Sequence, residues 1–205
     1  MARIRLNVAE RREALLLAAV EQIEERGIAA LRISDVATAL GVSNALVLYH
    51  FSTKEKLVAA AFEHAAQADL ARLHTLAGRG GSAVKRLRAA VRWYSPTGQA
   101  KGWKLWIEGW AASLREPVLR EVTLGLDRQW KATLTRMIAE GAEAGEYECR
   151  DPRASAWRLT ALLDGLAVQM TALPGALSRR QMESWVDDAL AAELGLDRAD
   201  LVSGR

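Results

Sequence analysis

Along almost the whole chain apolar residues fall three and four apart, and glycines interrupt them where a helix would have to stop. The first run, 9–26, carries Ala14, Leu15, Ala18 and Ile23 on one face and ends at Gly27. A short run over 35–40 follows, with Ser34 placed to cap it and Gly41 to close it. Ser43 is placed to cap the next, 44–50. Ser52-Thr53-Lys54-Glu55 then reads as a capping box, a hydroxyl and a carboxylate three residues on, opening a long helix to about residue 77. Past the break Gly78-Arg79-Gly80-Gly81-Ser82, helical patterns cover 84–94, 101–114, 118–144, 152–172 and 178–194. Alanine (38) and leucine (29) fill about a third of the 205 residues, against 28 for isoleucine, valine and threonine together. The chain is predicted to be all-α.

A chain of this length makes one or two domains and can bury a core without metal or disulfide. Its one cysteine, Cys149, excludes an internal disulfide framework and a Cys-based zinc site, and the three histidines are widely spaced, so no cofactor is expected. The longest apolar stretches, 14–20 and 57–62, fall far short of the ~20 residues that span a bilayer. Arg3 and Arg5 are not followed by the apolar core of a secretory signal, so a cytoplasmic protein without a membrane partner is expected. The net charge of +3 permits nucleic acid as a partner without demanding it. The sequence holds no glycine-rich phosphate loop, no serine nucleophile elbow and no HExxH helix, so no enzyme is expected.

Two short helices joined at Gly41 have the form of a helix-turn-helix. Val42 would plug the turn, and Val36, Ala37, Leu40, Val47 and Phe51 offer a shared apolar face. On spacing alone a plain helical corner is the alternative. The segment 33–57 resembles the DNA-binding domain of the TetR family of bacterial regulators. The matching residues are Asp35-Val36-Ala37, Gly41-Val42-Ser43, His50-Phe51, Lys54-Glu55 and Leu57, with Arg11, Ala18 and Gly27 before them. The resemblance implies a helix-turn-helix domain over 1–53 and a helical effector-binding and dimerisation domain over 54–205, joined by a linking helix at 54–77.

It further implies base-edge contact from Asn44, Ala45, Leu46 and Tyr49, phosphate contact from Ser34, His50 and Lys54, and capping by Ser43. Chemically, the Asn44 amide can bond an adenine edge twice, and Leu46 can pack on a thymine methyl. Leu48 stands where many family members have a tyrosine, with Tyr49 one place later, which leaves the roles of those two open. His50 could instead cap or pack at the helix end. Arg3, Arg5, Arg11 and Arg12 form either an arm along the minor groove and phosphates or a solvated tail.

All seven tryptophans lie beyond residue 81. Trp103, Trp106 and Trp110 share one helix face by spacing. They are either core or, with Trp130, Met170 and Asp164, the wall of an effector chamber. Glu108 or Asp164 would suit such a chamber to a cation. Asp164 interrupts the apolar run Leu162, Leu163, Leu166, Ala167, and must be exposed, paired or ligand-facing. Glu140, Glu143, Glu146 and Glu148 read as solvated.

Trp106, Trp110, the stretch 115–120, Gly145-Glu146-Tyr147 and Leu163-Asp164-Gly165-Leu166 resemble the C-terminal domain of BetI-type members, which implies dimerisation and an effector site. Trp157, Ala161, Gly165 and Val168, with Trp185, Ala189 and Ala192, either build an intermolecular four-helix seam or pack within the subunit. The expectation is a homodimeric repressor released from a palindromic operator DNA by a small-molecule effector. The alternative is a DNA-binding structural protein, independent of any effector, whose C-terminal half only dimerises.

Overall fold

The computed structural model describes residues 7–96 and 102–203, and among them every regular element is a helix. In chain order these are α1 (Val8–Arg26), α2 (Ile33–Leu40), α3 (Asn44–Phe51), α4 (Lys54–Ala77), α5 (Ala83–Tyr94), α6 (Trp103–Ser113), α7 (Pro117–Glu143), α8 (Pro152–Ala172), α9 (Arg179–Glu193) and α10 (Arg198–Ser203). Arg3 and Arg5 lie outside the described residues. The all-α expectation holds, and the element borders agree to within two residues. The short α10 is an addition.

Local chemistry explains the ends, with three corrections. Asn7 caps α1, accepting from the Glu10 N–H at 2.9 Å, while Glu10 returns the bond to the Asn7 N–H. Ser34 does not cap α2; that helix starts two residues earlier than expected, at Ile33, and the Asp35 carboxylate accepts from the Arg32 N–H at 2.8 Å. The cap of α4 also sits one residue later than the spacing suggests. Thr53, not Ser52, accepts from the Lys56 N–H, and Ser52 adopts a φ of +65° that closes α3. Third, Glu146 is not a solvated acid. Its two oxygens accept from the N–H groups of Ala83 and Val84, at 2.8 and 3.2 Å, and so seat the N-terminus of α5.

The chain packs as two compact units. One gathers the chain up to Gln67 with Lys104–Leu126; the other holds Ala68–Trp103 with Asp127 onward. In the first, α1, α2 and α3 share a core of Leu15, Ile23, Leu31, Val36, Val47 and Phe51, with Phe62 wholly buried behind them. Gly109 of α6 lies against the Phe62 ring, where a β-carbon would stand 2.4 Å from Cε2, whereas Gly125 of α7 faces open space. Gly109→Ala is therefore expected to cost about 1–3 kcal/mol through overpacking. Gly125→Ala should gain up to about 1 kcal/mol through helix propensity. Denaturant midpoints of the two variants check the contrast, and a stabilising Gly109→Ala would refute the close approach.

In the second unit α8 packs on α9, and α9 on α5 and α10. Leu87, Leu134, Ile138, Leu159, Leu163, Met182 and Leu190 form its core. The Tyr147 hydroxyl donates to the carbonyls of Ile138 and Met137 at 3.0 and 3.3 Å. Its ring occupies the space a side chain at Gly141 would need.

Candidate functional site

The turn between α2 and α3 is built on Gly41, whose φ of +62° is natural only to glycine. The Val42 N–H bonds back to the Ala37 carbonyl at 2.9 Å, so the chain leaves α2 sharply. The Ser43 hydroxyl then accepts from the Leu46 N–H at 3.2 Å, which fixes where α3 begins and hence which of its residues face inward. Val47 and Phe51, one turn apart, are buried; Asn44, Ala45, Leu48 and Tyr49 are exposed. Leu46 and His50 lie half-buried at the edges, and the Tyr49 and His50 rings meet edge to face at 5.3 Å.

An amide, a methyl, an isobutyl group and a phenol thus stand together on one outward face. Tyr49 is 77% exposed, which no core role explains. Leu48, whose role the sequence left open, stands beside Tyr49 on that face. Ser34 sits half-buried in the first turn of α2. Arg12 places its guanidinium 5.0 Å from the centre of the Phe51 ring. Lys54, at the start of α4, is half-buried, with its ammonium donating to the Ala29 carbonyl at 3.2 Å.

A second set of residues lies in the other unit. Tyr94, buried, sits 3.8 Å from Trp130 and 4.6 Å from Trp103 between ring centres, and Trp93 stacks on Trp130 at 6.4 Å. The Trp103 indole N–H donates to the Tyr94 carbonyl at 3.0 Å. Among the described residues the Trp130 indole nitrogen and Asp164 Oδ1 are buried and have no hydrogen-bond partner. A buried donor and a buried acceptor left open cost folding energy unless something binds there.

Burial raises the Asp164 carboxyl to about 7, against the pull of Lys131 and with a further push from Asp127. Burial likewise raises Asp69, on α4, to about 6. The Tyr94 hydroxyl is raised by its own burial and then by Asp164, Asp69 and Asp127, so the three carboxylates share its neighbourhood. Sequence reasoning found Asp164 from its apolar run but missed Asp69. Met170 is half-buried on α8. Trp106 and Trp110 pack in the first unit, with ring centres 5.8 Å apart and Trp106 edge-on to Phe62 at 4.9 Å.

On α8 and α9 the faces turned away from the core carry Trp157 (52% exposed), Val168 (37%) and Trp185 (50%), with Ala161, Gly165 and Ala192 exposed and Ala189 half-buried among them. Lys131, paired with Asp127 at 2.7 Å, holds its ammonium 3.5 Å above the Trp157 ring. Among the described residues no cluster of histidine, cysteine and carboxylate side chains could hold a metal ion, and no helix is long and apolar enough to cross a membrane.

Comparison with known proteins places both regions. Residues 15–61 match the family described as bacterial regulatory proteins of the tetR family, and residues 83–195 match the BetI-type transcriptional repressor C-terminal family. The chain is 30% identical over 160 residues to the HTH-type transcriptional regulator BetI of Pseudomonas paraeruginosa, covering 76% of this chain and 79% of that one. The similarity to BetI of Escherichia coli O127:H6 is also 30%, over 76% and 80% of the two chains.

Among solved structures, a transcriptional regulator of Saccharomonospora viridis in complex with choline superposes with a TM-score of 0.80 at 29% identity, over 88% of this chain and 95% of that one. A TetR-family regulator of a Rhodococcus species gives 0.78 at 28%, over 91% and 100%. Proteins of this family are DNA-binding regulators that respond to effectors, not enzymes. The chain belongs to the TetR family of bacterial transcriptional regulators, and its C-terminal half is of the BetI type.

Proposed function

We propose that this chain is a homodimeric repressor that reads a palindromic operator through α3 and is released from it by a small organic cation. The observation that carries the reading is the outward face of α3, where Asn44, Ala45, Leu48 and Tyr49 stand exposed on a helix whose opposite face is buried. Asn44 reads a base edge, Ala45, Leu46 and Tyr49 pack beside it, Ser34, His50 and Lys54 meet phosphates, and Ser43 joins the DNA-binding set as the cap of α3. The functional division falls at 53/54, with α4 as the link.

The effector class follows from the second unit. Indoles of Trp103 and Trp130, the phenol of Tyr94 and two carboxyl groups at Asp164 and Asp69 suit a cation, and the open Trp130 N–H suits an acceptor on the same ligand. Met170 completes the proposed effector set in this unit; Trp106 and Trp110, offered for it by the sequence, belong to the first unit. That the Saccharomonospora viridis regulator was solved with choline supports the same class, and choline carries both a cation and a hydroxyl. For the dimer, the exposed stripe of Trp157, Ala161, Gly165 and Val168 with Trp185, Ala189 and Ala192 supplies the seam of a four-helix bundle.

Fluorescence anisotropy on duplexes selected from a random pool tests the DNA reading, with the DNA upstream of the protein's own coding region run beside them. Asn44→Ala is expected to lose about 1–3 kcal/mol of discrimination at one base position of each half-site. Lys54→Ala should weaken all duplexes alike and lower the salt slope by about one. Binding that is indifferent to sequence in the unmodified protein would refute the reading.

A further inference from the structure

The sequence offers Glu108 as a ligand-facing acid, but the structure puts it to another use. Glu108 Oε2 accepts from the Ile28 N–H at 3.0 Å, in the turn between α1 and α2. The carboxylate lies so close to Gly27 that a β-carbon there would stand 2.8 Å from Oε1. Gly27 is thus required twice, for its φ of +82° and for the space its missing side chain leaves. One turn earlier on α6, the Lys104 ammonium donates to the Glu24 carbonyl, at the negative end of α1. Two side chains four residues apart on α6 therefore grip the end of α1 with opposite charges, each matched to the backbone group it meets. From the other side, Lys54 of α4 holds the same turn through the Ala29 carbonyl.

Trp106 and Trp110 lie on the opposite face of α6, two positions on from Lys104 and Glu108, or about 200° around the helix. Trp106 rests on Phe62. The helix is two-faced, with aromatic rings on one side and the grip on the α1–α2 turn on the other. A cavity of about 320 Å³ opens beside that turn, lined by Ile28, Ala29, Lys54, Glu108, Arg115 and Leu119 among others. The turn leads directly into α2, and α2 into α3.

We propose that Glu108 is the positioning residue that ties α6 to the reading head. Its hold on Ile28 sets where α2 and α3 stand, so that a shift of α6 changes operator affinity. By reciprocity, operator binding changes the surroundings of Trp106 and Trp110. This rests on the regulator reading above and adds to it the residue through which the two states communicate.

The test uses full-length protein labelled with 5-fluorotryptophan, its ¹⁹F resonances assigned by single Trp→Phe replacements, and a duplex recovered by selection. Operator binding is expected to shift the Trp106 and Trp110 resonances in the unmodified protein. The shifts should persist in Glu108→Gln, which keeps an acceptor for Ile28, and fall to under a third in Glu108→Ala and Glu108→Asp, which cannot reach it. The Asp variant keeps the charge and covers the case in which the Ala variant fails to fold, as judged by circular dichroism. A merely structural role would lower stability and leave the shifts of the bound state intact. Full shifts in a folded Ala or Asp variant that still binds operator overturn the coupling alone. Absence of any selected duplex that the unmodified protein prefers overturns the regulator reading and the coupling with it.

Discussion

Asp187→Ala is expected to lower the unfolding free energy by about 3–5 kcal/mol at pH 7. Asp187 lies on α9, 3% exposed, and two arginines one turn apart on α5 converge on it. Arg88 donates through Nε and Nη2 at 3.2 and 3.0 Å, and Arg92 through Nε and Nη2 at 3.4 and 2.8 Å. Burial by itself would raise the carboxyl, but the two guanidiniums outweigh it and hold the group below the usual carboxylate range. Removing the carboxylate leaves two cations facing each other with no shared partner, one of them only 20% exposed.

The pH dependence fixes the sign. A carboxyl held low in the folded state contributes stability above its unfolded value near 4 and loses it as pH falls through the folded value. The gap between the unmodified protein and Asp187→Ala should therefore be full at pH 7 and close below pH 4. Asp187→Asn, which still accepts one hydrogen bond, should fall between them. Urea titrations at one fixed protein concentration measure this, so that any self-association weighs equally on every variant. A loss under about 1 kcal/mol at pH 7 would mean that water serves the arginines as well as Asp187 does.

This join shows where sequence reading stops. The helix ends were legible because they are local. Gly27, Gly41, Gly145 and Gly195 all take the positive φ that closes a helix, and the side-chain caps, such as Ser43 on Leu46, span three residues. Once that cap is fixed, the 3.6-residue period decides which side of α3 is buried, so its outward face is legible from the sequence. Asp164 was legible for a different reason, a lone charge in an apolar run.

Asp187 gave no such signal. It stands next to Asp188 in a charged stretch that looks solvated, and its partners lie 95 and 99 positions away. Glu108 stands among tryptophans, where its place in the sequence offers it to a cationic ligand, yet it reaches Ile28, 80 positions back. Asp69 resembles any polar residue on a long helix until packing around Tyr94 buries it. In each case the side chain's role is set by which helices pack together, and local pattern carries no record of that.

The largest functional effect is expected from pH. Asp164 is raised to about 7 and Asp69 to about 6, both by burial. A cation binds the ionised form, so its affinity should level off above about pH 8 and fall about tenfold per pH unit below 7. If Asp69 also faces the ligand, the fall steepens to about a hundredfold per unit below 6. Choline is the right probe because its quaternary ammonium keeps its charge at every pH, so any dependence comes from the protein. Between pH 8 and pH 5 its affinity is expected to drop at least about a hundredfold, and Asp164→Asn should remove most of that dependence while weakening binding at pH 8.

Stability must move the other way from Asp187. A carboxyl raised on folding stabilises the fold while protonated and loses that contribution as pH rises through about 7. Asp164→Asn should therefore stabilise the protein by about 2–4 kcal/mol at pH 8 and leave it unchanged at pH 4. A residue that weakens the fold at neutral pH and strengthens the hold on a cation is what a binding site in an apolar setting requires. Calorimetric titration with choline across pH 5–8, beside thermal unfolding of the same samples, measures both sides of that exchange. A choline affinity that is flat with pH, together with an Asp164→Asn variant no more stable than the parent at pH 8, would show that Asp164 reaches water and that the cation, if one binds, binds elsewhere.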